Sequence, residues 1–184
     1  MLLPIYVYGH PILRKKSEDI PEDYPNLDEF LKNLWHTMEV ADGVGLAAPQ
    51  VGRNIRIFVV DGTGFSDQHP EVADFRKVFI NAHIVERSDE LVNRSEGCLS
   101  VPGIHEYVKR PDKIRIIYED ENRIKHDKEF DGIKAWIIQH EYDHLEGIVF
   151  TDHLSPLRKR LLQSKLNAIS RGKFKSEYKV VLPK

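Results

Sequence analysis

The sequence predicts an α+β fold, and three observations support this class. Segments with helical apolar periodicity or helix-ending residues occur at three places, and extended segments rich in β-branched residues lie between the first two. The two kinds of segment do not alternate regularly, as a doubly wound parallel sheet would require. The length of 184 residues, with 41% hydrophobic and 30% charged residues, is typical of a single domain.

The first predicted helix covers residues 27–38. Apolar residues recur there at i, i+3, i+4, i+7, i+8 and i+11, and Asp42–Gly43 ends the pattern. β-branched and aromatic residues then predict strands at 55–60, 78–80, 84–85 and 113–118. Residues 61–70 have no periodicity, so we expect a surface insertion loop there.

The second and third predicted helices are delimited by glycine and proline. Residues 133–145 form the second, with Gly147 just beyond its end. Pro156 occupies the first turn of the third, which continues to about Ser170.

Charge is distributed unevenly along the chain. The net charge of −2 excludes a uniformly basic nucleic-acid-binding protein. Residues 154–184 contain nine Lys or Arg and one acidic residue, so this segment carries +8 and the rest of the chain −10. A basic segment on an acidic body suggests a polyanionic partner, whereas a solvated helix face with a loose end is the alternative.

The single cysteine, Cys98, excludes a framework of internal disulfides. No apolar run approaches the ~20 residues that span a bilayer, and the N-terminus lacks the features of a signal peptide. We therefore expect a cytoplasmic protein with no membrane contact.

An H-E-x-x-H motif at 140–144 lies within the second predicted helix. Four residues at 100° each place the two imidazoles about 40° apart and about 6 Å along the helix axis, so both can bind one ion. Glu141 is turned by about 100° from His140, where it can reach water on that ion without being a ligand. A hydrogen-bonded pair of core histidines is the alternative.

The third ligand is not that of the common metallopeptidases. The position that would carry the third histidine of a metzincin is Phe150, and no glutamate lies between Gly147 and Ser176. Cys98 is the strongest remaining donor, although a lone cysteine is often an inert core residue. Two imidazoles and a thiolate would favour Zn²⁺, Fe²⁺, Co²⁺ or Ni²⁺ over Mg²⁺ and Ca²⁺ and would leave one position open.

A glycine-rich segment at 43–52 follows the first helix. It formally contains G-x-G-x-x-A, but a dinucleotide-binding turn follows a strand and opens a helix, and Pro49 would interrupt that helix. The segment is therefore either a helix-ending turn or extended backbone against which a peptide can lie.

Three segments together resemble peptide deformylases: G-V-G-L-A-A-P-Q at 43–50, E-G-C-L-S at 96–100 and Q-H-E-Y-D-H-L-E-G at 139–147. The resemblance implies an α+β fold in which antiparallel strands pack around a central metal-binding helix, followed by a C-terminal helix. It also implies that residues 1–184 form a single catalytic domain, with 154–184 as its basic C-terminal helix and tail.

The resemblance assigns Cys98, His140 and His144 as the ligands of one divalent metal ion. The native ion would be Fe²⁺, with Zn²⁺, Ni²⁺ or Co²⁺ as alternatives. The substrate would be the N-formyl group on the initiator methionine of nascent polypeptides, released as formate.

Roles for further residues follow from the same resemblance. Glu141 would be the general base, and the backbone N–H of Leu99 and the side-chain amide of Gln50 would stabilise the oxyanion. Gly45 would hydrogen-bond the peptide backbone of the substrate.

The basic segment would contact the ribosome through Arg158, Lys159, Arg160 and Lys165. We expect a monomer that does not bind DNA. Three other functions stay open on the sequence: a metallopeptidase of ordinary peptide bonds, a non-enzymatic zinc module with a fourth protein ligand, and a thiol hydrolase that uses Cys98.

Overall fold

Three α-helices and nine strands make up the structure, a computed structural model that describes all 184 residues. The helices are α1 (Leu27–Val40), α2 (Gly132–Leu145) and α3 (Pro156–Ser170). The strands are β1 (Ile5–Tyr6), β2 (Gly45–Ala47), β3 (Ile57–Asp61), β4 (Arg76–Arg87), β5 (Leu91–Cys98), β6 (Val101–Pro111), β7 (Lys113–Glu119), β8 (Lys125–Asp131) and β9 (Val180–Val181).

The strands form three separate sheets. The largest has five antiparallel strands in the order β2-β3-β4-β7-β8. β5 and β6 form an antiparallel hairpin, and β1 pairs with β9 in parallel near the two chain ends. The α+β class predicted from the sequence is confirmed.

Alternate residues of β3 face opposite sides of the large sheet. Ile57 and Val59 join the apolar cluster that contains the buried face of α1, whereas Phe58 and Val60 join the cluster that contains α2. Ten of the 14 residues of α2 are buried. The sheet therefore separates the two helices, and α2 is the central helix of the fold.

The β5–β6 hairpin packs against α3 in a third apolar cluster, which includes Val101, Ile104, Leu162 and Leu166. α3 begins as predicted, because Pro156 occupies the first turn and the Ser155 side chain accepts a hydrogen bond from the backbone N–H of Arg158. This packing fixes the hairpin beside α2.

The predicted helices agree with the structure, but several strands differ. Residues 78–80 and 84–85 belong to the single strand β4, which is interrupted at Asn81 by a bulge and a left-handed backbone conformation (φ 51°). The Asn81 side chain exchanges two hydrogen bonds with the backbone of Ile20, which stabilises this break. β1, β5, β6, β8 and β9 were not expected, and β2 lies in the segment for which extended backbone was one of two alternatives.

Residues 61–70 lie largely at the surface, as expected, but they contain regular structure. Asp61 ends β3, Thr63–Phe65 forms a 3₁₀ turn, and a second 3₁₀ turn covers Pro70–Val72. None of the helices is both long and apolar enough to cross a bilayer.

Candidate metal centre

The three predicted ligands come together where α2 meets the β5–β6 hairpin. His140 and His144 lie one turn apart on α2, and Cys98 is the last residue of β5. One donor atom from each lies within 4.8 Å of the other two. The Cys98 Sγ atom is 3.4 Å from Nε2 of His144.

This cluster fits a divalent metal ion on geometry and donor chemistry. Ligand atoms of a tetrahedral site with bonds of 2.0–2.3 Å lie roughly 3.5 Å apart, close to the observed sulfur–nitrogen distance. A thiolate with two imidazoles suits Zn²⁺ and Fe²⁺ better than Mg²⁺ or Ca²⁺. Cys98, His140 and His144 would hold the ion.

The electrostatic environment favours the thiolate form of Cys98. Burial alone would raise the pKa of this thiol, but the nearby charge of His144 and hydrogen bonds with His140 and His144 lower it to about 5. A thiol must lose its proton to bind a metal ion. Cys98 therefore has the correct protonation state at neutral pH.

His140 is oriented by a buried carboxylate. Nδ1 of His140 lies 2.7 Å from Glu96, so its other nitrogen, Nε2, is left for the cluster. Trp136 also donates its indole N–H to Glu96 at 2.7 Å. Burial favours the neutral form of Glu96, but hydrogen bonds from Arg110 and His140 lower its pKa to about 2. Glu96 is therefore an anion that fixes the imidazole plane.

Arg110 links the hairpin to α2 through two carboxylates. Its guanidinium makes a bidentate pair with Glu96 at 2.6 and 2.9 Å and donates to Asp143 at 2.8 Å, and Arg110 is only 4% exposed. Asp143 lies beside the candidate ligand His144 on α2 and also contacts His153 at 2.6 Å. The hydrogen bonds to His153 and Arg110 outweigh the effect of burial and lower the pKa of Asp143.

Glu141 lies at the same cluster and is almost fully buried. Oε1 of Glu141 is 4.0 Å from Nε2 of His140, and Oε2 has no hydrogen-bond partner. Burial raises the pKa of Glu141 to about 7, and the neighbouring imidazoles lower it only in part. A carboxylate tuned in this way can accept and return a proton near neutral pH.

The glycine-rich segment runs beside Glu141 as extended backbone, in β2. A Cβ atom on Gly45 would lie 2.4 Å from Oε1 of Glu141, so only glycine leaves space for this carboxylate. Both interpretations left open by the sequence hold in part. The backbone N–H of Gly43 donates to the carbonyl of Met38 at the end of α1, Gly45–Ala47 is extended, and Ala48–Val51 forms a 3₁₀ turn.

Gln50 and Leu99 both lie next to Cys98. The amide nitrogen of Gln50 is 3.5 Å from Cys98 Sγ and 3.1 Å from Ser100 Oγ, and its Oε1 accepts the backbone N–H of Ala47 at 2.9 Å. Leu99 directly follows Cys98, in the turn between β5 and β6. The Gln50 amide and the backbone of this turn are therefore placed next to the candidate metal ligands.

A cleft of about 610 Å³ opens onto the cluster. Apolar residues from four segments line it: Val40, Val44, Phe65, Leu99, Ile104 and Trp136. Phe65 brings the 61–70 segment into the cleft wall, and its ring packs edge-on to Trp136 at 6.3 Å. The cleft can accept an apolar side chain beside the cluster.

The seven residues named from the sequence therefore meet at one place, and several neighbours were missed. Glu96, Ser100 and Asp143 lie within the sequence motifs but were given no role, and Arg110 lies outside those motifs. Arginine residues usually lie at the protein surface, so only the three-dimensional structure reveals that Arg110 is buried. The basic residues of α3 do not line the cleft, and Arg158 forms an ion pair with Glu106.

The cluster combines the two histidines of an H-E-x-x-H helix with a cysteine thiolate and a buried carboxylate. This combination defines the class of mononuclear metal-dependent hydrolases. The family model "Polypeptide deformylase" matches residues 2–160. A peptide deformylase of Christiangramia forsetii is 51% identical over 190 aligned positions, which cover 100% of this chain and 97% of the relative.

Solved structures agree with this match. A Plasmodium falciparum peptide deformylase in complex with an inhibitor superposes with a TM-score of 0.78 at 38% identity, covering 91% of this chain and 99% of that one. A peptide deformylase from Legionella pneumophila gives 0.81 at 32% identity, with 94% and 98% covered. The chain belongs to the polypeptide deformylase family, metal-dependent hydrolases that remove the N-formyl group from nascent polypeptides.

Proposed function

We propose that this chain removes the formyl group from N-formylmethionyl peptides at the Cys98, His140 and His144 cluster. The observation that carries the proposal is the meeting of these three donors with the buried carboxylate of Glu141 at the floor of an apolar cleft. Fe²⁺ would be the native ion, with Zn²⁺, Ni²⁺ or Co²⁺ able to replace it. Such an ion would supply Lewis acidity to the formyl carbonyl.

Glu141 moves the proton in this reaction. Its carboxylate accepts a proton from the attacking water, whose oxygen bonds to the formyl carbon, and then donates that proton to the departing α-amino group as the C–N bond breaks. The products are formate and a peptide with a free N-terminus. The raised pKa of Glu141 supports both steps, since the group is neither a strong acid nor fully protonated at neutral pH.

Gln50, Leu99 and Gly45 bind the reacting amide. The Gln50 side-chain amide and the Leu99 backbone N–H would donate hydrogen bonds to the oxygen that gains charge, and both lie beside Cys98. Gly45, as part of the short strand β2 at the cleft, would pair with the substrate backbone. The methionine side chain would occupy the apolar part of the cleft.

The decisive experiment measures formate release from formyl-Met-Ala-Ser, with and without a chelator, alongside metal analysis. We expect release that stops on chelation and returns with Fe²⁺ or Ni²⁺. Activity that survives chelation would indicate a thiol hydrolase, and cleavage of acetyl-Met-Ala-Ser between residues would indicate a peptidase. A stoichiometric metal ion without formate release would indicate a non-enzymatic zinc module.

We also propose that residues 1–184 act as one catalytic domain and as a cytoplasmic monomer. The basic C-terminal segment would contact the ribosome. Lys159, Arg160 and Lys165 are exposed on α3, while Arg158 is engaged with Glu106. Because contacts with phosphates depend on salt, ribosome co-sedimentation should weaken as the salt concentration rises. Replacing the three exposed residues with glutamate should abolish it, and unchanged co-sedimentation would refute this interaction.

A further inference from the structure

The C-terminal tail returns to the cleft after α3. Residues 171–179 lead to β9, which pairs with β1 near the N-terminus. The backbone N–H of Ile5 donates to the carbonyl of Lys179 at 2.9 Å, and the N–H of Val7 donates to the carbonyl of Val181 at 3.2 Å. The tail is thereby tied to the body of the protein, although it lies beyond the residues that match the family model.

This attachment places residues 175–178 on the rim of the cleft. The phenol of Tyr178 donates a hydrogen bond of 2.7 Å to the backbone carbonyl of Leu99, and the ring packs against the apolar cluster of α1. Burial raises the pKa of Tyr178 to about 12, so the hydroxyl remains a donor at neutral pH. Ser176 stabilises the backbone around Tyr178, because its hydroxyl donates a hydrogen bond of 2.8 Å to the Tyr178 carbonyl.

The turn that follows Cys98 is held by three separate segments. Tyr8 donates its backbone N–H to the carbonyl of Ser100 at 2.8 Å, and the Gln50 amide reaches the hydroxyl of Ser100 at 3.1 Å. The bond from Tyr178 is the one that holds the carbonyl of Leu99 itself. The Leu99 carbonyl and the Leu99 N–H belong to neighbouring peptide planes, which are joined only by the φ and ψ angles of Leu99. Cys98 on one side is held in β5, so a fixed Leu99 carbonyl on the other side restricts both angles and limits the orientation of the N–H.

We propose that Tyr178 is a positioning residue of the active site, which holds the Leu99 backbone so that its N–H points at the developing oxyanion. The inference rests on the proposed function, in which Leu99 is an oxyanion donor. It extends the site beyond the three sequence motifs to the C-terminal tail. Donors that are fixed in advance stabilise a transition state more than mobile ones, so the contact should affect kcat more than KM.

The test is Tyr178→Phe, which removes only the hydroxyl and keeps the ring. The matched control is Tyr107→Phe on β6, because Tyr107 is 67% exposed and lies on the same hairpin. We expect Tyr178→Phe to lower kcat for formyl-Met-Ala-Ser about fivefold, as the loss of one ordinary hydrogen bond implies, with KM unchanged and metal content retained. Tyr107→Phe should match the wild type.

A second measurement does not depend on turnover. In Zn²⁺-loaded protein, which is diamagnetic, the ¹⁵N order parameter of the Leu99 amide should fall from about 0.85 toward about 0.6 in Tyr178→Phe. An unchanged order parameter, or an equal loss of kcat in Tyr107→Phe, would overturn the positioning role. A lower order parameter with kcat within twofold of the wild type would instead remove Leu99 from the oxyanion site of the proposed function.

Discussion

Replacing Gly45 with alanine tests the placement of Glu141 most directly. The added Cβ atom would lie 2.4 Å from Oε1 of Glu141 and 2.6 and 2.7 Å from the next two carbon atoms of that side chain. These atoms belong to a carboxylate that is only 3% exposed and that lies beside His140 at the floor of the cleft. Glu141 must change its position, or β2 must move away from α2.

The required shift sets the size of the effect. Ordinary contact begins near 3.4 Å, so the carboxylate must retreat by about 1 Å. A misplacement of about 1 Å at a reacting group costs roughly 100-fold in rate. We therefore expect Gly45→Ala to lower kcat about 100-fold while the Cys98, His140 and His144 cluster keeps its metal ion, because the three atoms nearest to the new methyl group all belong to Glu141.

The assay is formate release under saturating formyl-Met-Ala-Ser, with metal content measured on the same samples. Gly64→Ala is the matched control, since a Cβ atom there meets nothing within 4 Å. It should leave kcat unchanged. A Gly45→Ala enzyme with kcat within fivefold of the wild type would refute the placement of Glu141 against β2, and loss of the metal ion would show that the change reached the ligands.

Three further predictions concern the same site. Glu141→Gln keeps the shape of the side chain but removes the base, so kcat should fall by about 10²–10⁴-fold with the metal ion still bound; turnover within tenfold would exclude the role. Cys98→Ser should lose or exchange its metal ion, because a hydroxyl is a poor substitute for a thiolate; elemental analysis with a full equivalent of the original ion would contradict ligation. Arg110→Met should destabilise the fold by about 3–5 kcal/mol in chemical denaturation, because two buried carboxylates lose their partner, whereas Arg115→Met at an exposed ion pair should have a far smaller effect; equal losses would contradict this account.

The helices could be predicted from the sequence, but for different reasons. α1 shows a clear apolar stripe, which faces the sheet. α2 is buried on nearly all sides and has almost no stripe, so its limits were predicted from its neighbours, above all Gly147. Gly147 has φ of 73° and a Cβ atom there would lie 2.5 Å from the Arg14 carbonyl, which explains why a glycine stands just after the end of the helix.

The missed strands are those whose sequences do not alternate between apolar and polar residues. β8 (KHDKEFD) lies at the edge of the large sheet and is mostly exposed, so a polar sequence is tolerated. β5 is likewise half-exposed and polar, and its pairing with β6 supplies the backbone hydrogen bonds. Such strands are determined by their partners, which a single segment does not reveal.

The candidate metal ligands were predicted from local motifs. By contrast, Glu96, which contacts His140, and Arg110, which contacts Glu96, both lie far from that histidine in the sequence. Glu96 and Arg110 lie on neighbouring strands and Asp143 lies on α2, so the network exists only after the hairpin has packed on the helix. A buried ion network of this kind contributes little net stability compared with an apolar core of the same volume. It does, however, restrain Cys98 and His140 on two different elements at once, and an apolar contact could not fix the plane of an imidazole. The energetic cost of burying Arg110 is therefore best explained by its role in orienting the candidate ligands. For this reason, we expect its replacement to weaken metal binding as well as to lower the stability of the fold.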